Sequence, residues 1–291
     1  MRLNSDCMEC LIRRHLATAR LHGTDAQVTA FARDLLRLLA NGPEDAPSPF
    51  YTPAITALFT KHLGLSDDRY RREKEDSNRF VLSRMEKIRS LVASAEDPLY
   101  AALQMAILGN YIDFSALQGE VSFQMLDEML DTAGAFVLNR QTYAQLKTDL
   151  SSAQHLLYLT DNAGEIGFDR VLAEEIQTHF PALSITFCVR GGPTLNDATR
   201  EDAKIVGIPF PVIDNGSRIP GTVLDQASGQ LKEAFAQADL VLSKGQANVE
   251  TLFETNHGGR IYFLFLIKCG RFMERFHQEK LAPMLLLDAQ K

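Results

Sequence analysis

Through the first half of the chain apolar residues recur every three or four positions, and that spacing predicts helices. Between Thr24 and Leu39 they fall at Val28, Phe31, Leu35, Leu36 and Leu39, and Asn41-Gly42-Pro43 supplies the stop. Gly42 to Ser48, with Pro43 and Pro47, reads as a loop. Asp67 to Val92 is a long, highly charged helical stretch whose apolar face strengthens towards its end. Pro98 to Asn110 is rich in Ala and Leu and carries proline in its first turn, where a missing N–H costs nothing. Gly119 to Thr132 and Arg140 to Leu150 follow the same helical rule.

Near Ser151 the pattern changes to short apolar runs separated by amphipathic ones. His155 to Thr160, Ser184 to Val189, Val212-Ile213, Asp239 to Ser243 and Ile261 to Ile267 have strand length. Between them, helices are predicted over Ile166 to His179, from about Thr194, and over Leu224 to Ala236. Strands of this continuous apolar type, alternating with helices, predict a mostly parallel sheet covered on both faces. The fold class expected is α/β plus all-α, with a helical domain over residues 1–150 and an α/β domain over residues 151–291.

Composition narrows the function classes. The chain has 291 residues, 45% of them apolar and 23% charged, with a formal net charge of -7. An acidic balance argues against nonspecific nucleic-acid binding, which needs an excess of Lys and Arg. No apolar run approaches the roughly 20 residues of a membrane helix. Asp6 and Glu9, with no apolar core behind Arg2, do not read as a signal peptide. Four cysteines in a chain this long do not form a disulfide framework. The expectation is a cytoplasmic protein with reduced thiols.

In an open α/β sheet, ligands bind beyond the carboxyl ends of the strands. The residues there are Asp161 and Asn162 after the first strand, then Arg190, Gly191, Gly192, Asn196 and Asp197 after the second. Lys244 and Gly245 follow a later strand, and Lys268 and Cys269 follow the last. Carboxylate and amide oxygens suit Mg²⁺ or Mn²⁺. Lysines and the N–H groups of glycine turns suit a phosphate. Structural readings compete: Asn162 with Glu165, and Thr194 with Asp197, have helix capping-box spacing. Arg190 and Lys268 could be solvated charges, and Gly191-Gly192-Pro193 a plain turn. No G-x-G-x-x-G dinucleotide fingerprint is present, and no G-x-S-x-G elbow. Cys7-x-x-Cys10 has metal or redox spacing but no second ligand pair, so packing on the first helix remains open beside a chemical role.

At these residues the chain resembles the damage-control phosphatase family, formerly domain of unknown function 89, in its small prokaryotic-type subgroup with an N-terminal C-x-x-C. The carriers are Asp6-Cys7-Met8-Glu9-Cys10, Gly109 to Phe114, Asp161-Asn162-Ala163-Gly164-Glu165-Ile166, Arg190 to Thr199, Ser243 to Glu250, and Lys268-Cys269. They span nearly the whole chain. The resemblance implies a helical N-terminal part joined to a Rossmann-like domain. It implies a divalent cation (Mg²⁺, Mn²⁺, Co²⁺ or Ni²⁺) on Asp161, Asn162 and Asp197. It implies hydrolysis of small phosphorylated metabolites, such as sugar phosphates or phosphopantetheine-type compounds. Lys244 would hold the phosphate, helped by Arg190, Lys268 and the backbone at Gly191, Gly192 and Gly245. Asn110 and Asp113 would reach the cleft from the helical part. The attacking group would be a water oriented by Glu165 or Asp113, or a carboxylate that forms a phospho-enzyme.

Two other readings stay open, a metabolite- or nucleotide-binding module without turnover and a methyltransferase. A haloacid-dehalogenase-type phosphatase wants a second Asp two residues after the first, where this chain has Ala163. The sequence leaves the natural substrate and the oligomeric state open.

Overall fold

The structure is a computed structural model and describes residues 1–112, 122–132 and 135–289. Among the described residues, seven α-helices precede the first strand: α1 (Ser5–His22), α2 (Asp25–Ala40), α3 (Thr52–Leu63), α4 (Arg71–Ala93), α5 (Pro98–Gly109), α6 (Phe123–Leu130) and α7 (Arg140–Ser152). Their ends obey local chemistry. Thr24 and Gln27 form a capping box at the start of α2. Gly64 closes α3 in the left-handed conformation. Asp97 caps α5 by accepting from the Tyr100 N–H, with Pro98 behind it.

The second half alternates: β1 (His155–Leu159), α8 (Glu165–His179), β2 (Ser184–Val189), α9 (Arg200–Ile205), β3 (Val212–Asp214), α10 (Gly229–Gln237), β4 (Leu240–Lys244), α11 (Gln246–Leu252), β5 (Arg260–Leu266), α12 (Gly270–Phe276) and β6 (Pro283–Ala289). The sheet runs β3-β2-β1-β4-β5-β6. Every neighbouring pair is parallel except β5 and β6. The mixed α/β architecture expected from the periodicity is present. The order reverses direction between β1 and β4, so the tips of those two strands flank the switch point where open α/β sheets bind ligands.

Period-two alternation divides the sheet's side chains between two cores. Leu156 and Tyr158 of β1, with Tyr262, Leu264 and Leu266 of β5, pack with α4, α5 and α8. Leu157 and Leu159, with Ile261, Phe263 and Phe265, pack on the opposite face with Leu231, Val249 and Phe272. Each fully buried side chain of this size contributes on the order of 1.5–3 kcal/mol. The first cluster joins residues from both sides of the pattern change near Ser151, because α5, buried at every residue after Pro98, packs on α8. A third cluster holds α1 to α3 together around Leu11, Phe31, Leu35, Ile55 and Phe59.

Some expectations are corrected. The helix predicted from about Thr194 starts at Arg200, where Thr199 and Asp202 form the capping box. The segment expected as one helix over Leu224 to Ala236 is a 3₁₀ turn at Leu224–Gln226 and then α10. Leu36, read as part of an apolar stripe, is exposed. The antiparallel β6 was not anticipated. The helix expected over Gly119 to Thr132 is α6, and residues 119–121 lie outside the described residues.

Candidate active site and metal centre

After β2 the chain does not enter a helix but doubles back. The Arg190 N–H donates to the Ala198 carbonyl at 2.9 Å, the Ala198 N–H to the Asp161 carbonyl at 2.7 Å, and the Ala163 N–H to the Asn196 carbonyl at 2.8 Å. Asn162 and Asp197 consequently pair as an antiparallel β-bridge. Leu195 takes a left-handed φ of 46° to make the reversal. The tips of β1 and β2 are thereby zipped side by side, which places Asp161, Asn162 and Asp197 on the wall of one cavity.

Buried donors fix these oxygens. Arg190 is 1% exposed and gives its Nε to Asp197 Oδ2 at 2.6 Å and an Nη to the Thr160 carbonyl at 3.1 Å. Asp161 Oδ2 accepts from the side-chain amides of Asn110 at 3.1 Å and Asn162 at 3.0 Å. Asn162 Oδ1 accepts from Asn196 Nδ2 at 2.9 Å, while Asn196 Oδ1 is buried without a hydrogen-bond partner. Gly245 lets Asp161 sit where it does, since a Cβ there would fall within 1.9 Å of the carboxylate.

Beneath this layer lies a second polar cluster closed to solvent. The ammonium of Lys244 donates to Glu165 at 2.7 Å, to Asp169 at 2.6 Å and to the Ala106 carbonyl at 2.9 Å. Glu165 also accepts from Asn110, from the Asn162 backbone N–H and from the Asn162 amide. The Tyr158 hydroxyl donates to Asp169 at 2.9 Å. Burial pushes the Asp169 carboxyl up to about 7 against the pull of Lys244. Burial also opposes charge on Lys244, but Asp169 and Glu165 outweigh it and hold that ammonium's pKa above its ordinary value. One ammonium thus faces two carboxylates, and together they orient Asn162 from behind.

The α4 helix anchors the same turn. The Gly164 N–H donates to Asn78 Oδ1 at 2.8 Å, and Asn78 Nδ2 donates to Asp202 at 2.8 Å. Lys74 pairs with Asp202 at 2.7 Å, and Asp202 caps Thr199. Gly164 has a φ of +77°, and a side chain there would strike Ser77.

The cavity measures about 130 Å³. Its floor is Asp161, Asn162 and Asp197, and Lys268, Gln246 and Glu250 form one side. The roof comes from the N-terminal helices through Leu11, Arg14, His15, Pro49 and Thr52. Of the residues expected at the site, Asp161, Asn162, Asp197 and Lys268 line this cavity. Asn110, Glu165, Arg190 and Lys244 lie behind the lining as its supports. The Gly191 N–H is taken by Asn215 Oδ1 and the Ser217 carbonyl, and the Gly245 N–H by the Leu264 carbonyl. Gly192 packs against Arg218. Asp113 lies outside the described residues.

The donor set fits a hard divalent cation. Two carboxylates and an amide converge on one wall, and an orphaned amide oxygen sits beside them; Mg²⁺ and Mn²⁺ take few protein oxygens and complete their shell with water and substrate. Among the described residues, no group of three or more His, Cys, Asp or Glu side chains forms a ready cage. The four cysteines are free thiols. Cys7 accepts from Arg271 at 3.3 Å, Cys10 is exposed, and burial pushes the Cys188 thiol up to about 12. Among the described residues, no helix is long and apolar enough to cross a membrane.

Residues 3–282 match the model of the damage-control phosphatase ARMT1-like domain. A damage-control phosphatase of Pyrococcus horikoshii, PH1575, is 32% identical over 275 residues, covering 92% of each chain. A damage-control phosphatase of Archaeoglobus fulgidus is 30% identical over 274 residues, covering 92% of this chain and 93% of its own. The crystal structure of the P. horikoshii protein, described as a DUF89 family protein, superposes with a TM-score of 0.82 at 28% identity, over 98% of this chain and 99% of that one. The fold, the match along nearly the whole chain and these relatives together place this chain in the damage-control phosphatase family.

Proposed function

We propose that the chain is a cytoplasmic, metal-dependent phosphomonoester hydrolase acting on small phosphorylated metabolites, sugar phosphates or phosphopantetheine-type compounds. The observation that carries this reading is the zipping of the β1 and β2 tips, which sets Asp161, Asn162 and Asp197 on one cavity wall with Lys268 on the same cavity. Asp161, Asn162 and Asp197 would hold the cation, with Mg²⁺, Mn²⁺, Co²⁺ and Ni²⁺ as candidates. A bound divalent cation supplies Lewis-acid neutralisation of charge on the transferring phosphoryl group.

The remaining work falls to the chain's own groups. Lys268 donates to the phosphoryl oxygens from the cavity side. Arg190 holds Asp197 from behind, and Asn110 holds Asp161. Glu165 already receives hydrogen bonds from Asn110, Asn162 and Lys244, so its role is to orient Asn162 rather than to take a proton. Lys244 keeps Glu165 and Asp169 compensated and does not reach the phosphate. The four free thiols accord with a reducing compartment.

The test is phosphate release from a panel of phosphate monoesters, with and without each of the four cations. Release that needs a cation, and that falls by about 10²-fold or more in Asp197→Ala, is the expected result. Full turnover in Asp197→Ala would remove the site assignment. Saturable ligand binding without release would favour a binding module, and saturable binding of a methyl donor a methyltransferase.

A further inference from the structure

The roof of the cavity carries a cation that the strand tips do not supply. Arg14 projects from α1 onto the cavity wall and is half-buried. Among the described residues its guanidinium makes no hydrogen bond and no ion pair, although Arg37, Arg84, Arg89 and Arg200 all pair with a carboxylate. Glu250, on the same cavity, lies in the field of Arg271, of the N-terminal ammonium and, more weakly, of Arg14. One Glu250 oxygen accepts from Gln246 at 3.2 Å, and the other takes no hydrogen bond among the described residues. A guanidinium on a cavity wall with no protein partner can turn its donors to an incoming acceptor. Asp161 and Asp197 line the same cavity, so an occupant meets a metal-type oxygen set as well as Arg14 and Glu250.

Resting on the phosphatase reading above, we propose that Arg14 is a substrate-contacting residue that donates to phosphoryl oxygens, and that Glu250 accepts a hydroxyl of the leaving group. Together they make the cavity selective for compact, hydroxylated phosphate monoesters. Size supports the class. Pockets that enclose drug-sized ligands run to about 300–1,000 Å³, whereas this one is about 130 Å³. Its enclosed part has room for a phosphoryl group with a short polyol. Arg14 suits the task because its planar fork matches phosphate oxygens. Glu250 suits a hydroxyl because an acceptor fixed by Gln246 discriminates against an ester that has no O–H to offer.

Two measurements test this on the full chain. The first is steady-state hydrolysis of glycerol 1-phosphate and propyl phosphate by the wild type, Arg14→Ala, Arg14→Lys and Glu250→Ala. The second is calorimetric binding of orthophosphate, with Mg²⁺ and, separately, with a chelator. Arg14→Ala should raise KM roughly 10- to 100-fold with kcat within a few-fold, and weaken orthophosphate binding by a similar factor. Arg14→Lys should recover part of both. Glu250→Ala should lower the preference for glycerol 1-phosphate over propyl phosphate about 10-fold or more. If Arg14→Ala matches the wild type in KM and in orthophosphate affinity, the inference is overturned, and loss of turnover in Asp197→Ala would leave the phosphatase reading standing. If the wild type turns over no ester but Arg14→Ala still loses orthophosphate, the phosphatase reading falls and the anion contact stands. An unchanged ester preference in Glu250→Ala removes the hydroxyl half. Should Arg14→Ala fail to fold, Arg14→Gln carries the same comparison.

Discussion

Gly245 and Asp161 face each other so closely that a Cβ on residue 245 would lie 1.9 Å from Asp161 Oδ2. Gly245 also holds a φ of +78°, which L side chains rarely adopt. Gly245→Ala must therefore push the Asp161 carboxylate out of place or distort the turn after β4. Turnover should fall by about 10²-fold or more, with a loss of about 1 kcal/mol or more in stability. Phosphate release and urea unfolding check the two effects separately. Wild-type turnover in this variant would show that the position of Asp161 is unimportant.

Lys244 is the cation paired with Glu165 and Asp169 in a fully buried cluster. Lys244→Met leaves those carboxylates without their counter-charge inside the protein. The expected cost is about 3–5 kcal/mol of stability, as for other broken buried pairs. Equilibrium denaturation measures it. A variant that lost activity with unchanged stability would return Lys244 to the reacting centre.

Arg190 sets the orientation of Asp197 through a 2.6 Å contact from behind the cavity. Groups that hold metal ligands in place typically matter 10- to 100-fold for affinity. Arg190→Gln should accordingly weaken Mn²⁺ binding by about that factor, read by calorimetry. Equal Mn²⁺ affinity in the variant and the wild type would exclude Arg190 as a support of the cation site.

His15 gives the protein a specific sensitivity to acid. Burial pushes its imidazole down to about 3 from the ordinary 6.5, and Arg14 and Arg69 add to the shift. As pH falls through this window the unfolded chain takes up a proton that the folded one refuses. Its contribution to stability is present above about 6.5 and drains away towards about 3, at up to about 1.4 kcal/mol per pH unit. His15→Leu should show a smaller loss of unfolding free energy between about pH 7 and about pH 5 than the wild type. Parallel pH profiles would place the acid sensitivity elsewhere.

The sheet was legible because strands buried on both faces read as unbroken apolar runs, so the residues after Leu159, Val189, Lys244 and Leu266 could be picked out directly. The approach of Asp197 to Asn162 was not legible in local pattern. Thr194 with Asp197 and Thr199 with Asp202 carry the same capping spacing, and only the backbone hydrogen bonds to Asp161 and Ala163 decide that the second pair starts the helix. Lys74 and Asn78 read as part of a highly charged helical stretch, yet both are buried against Asp202, a partner too far along the chain for local pattern to reveal. Arg14 and His15 follow ordinary helical periodicity, and nothing in that period tells which face of α1 meets the strand tips. Lys244 follows a strand end as a phosphate ligand would, but its three donors are spent within the interior.

The cavity takes its roof from α1 and one side from the exit of β5. Its two walls therefore come from segments far apart along the chain, and neither can be completed by local contacts. Closure of so long a loop is entropically late. A growing chain can fold its first three helices around Phe31 and Phe59 early, but the cavity is complete only after the segment through Lys268 has been made.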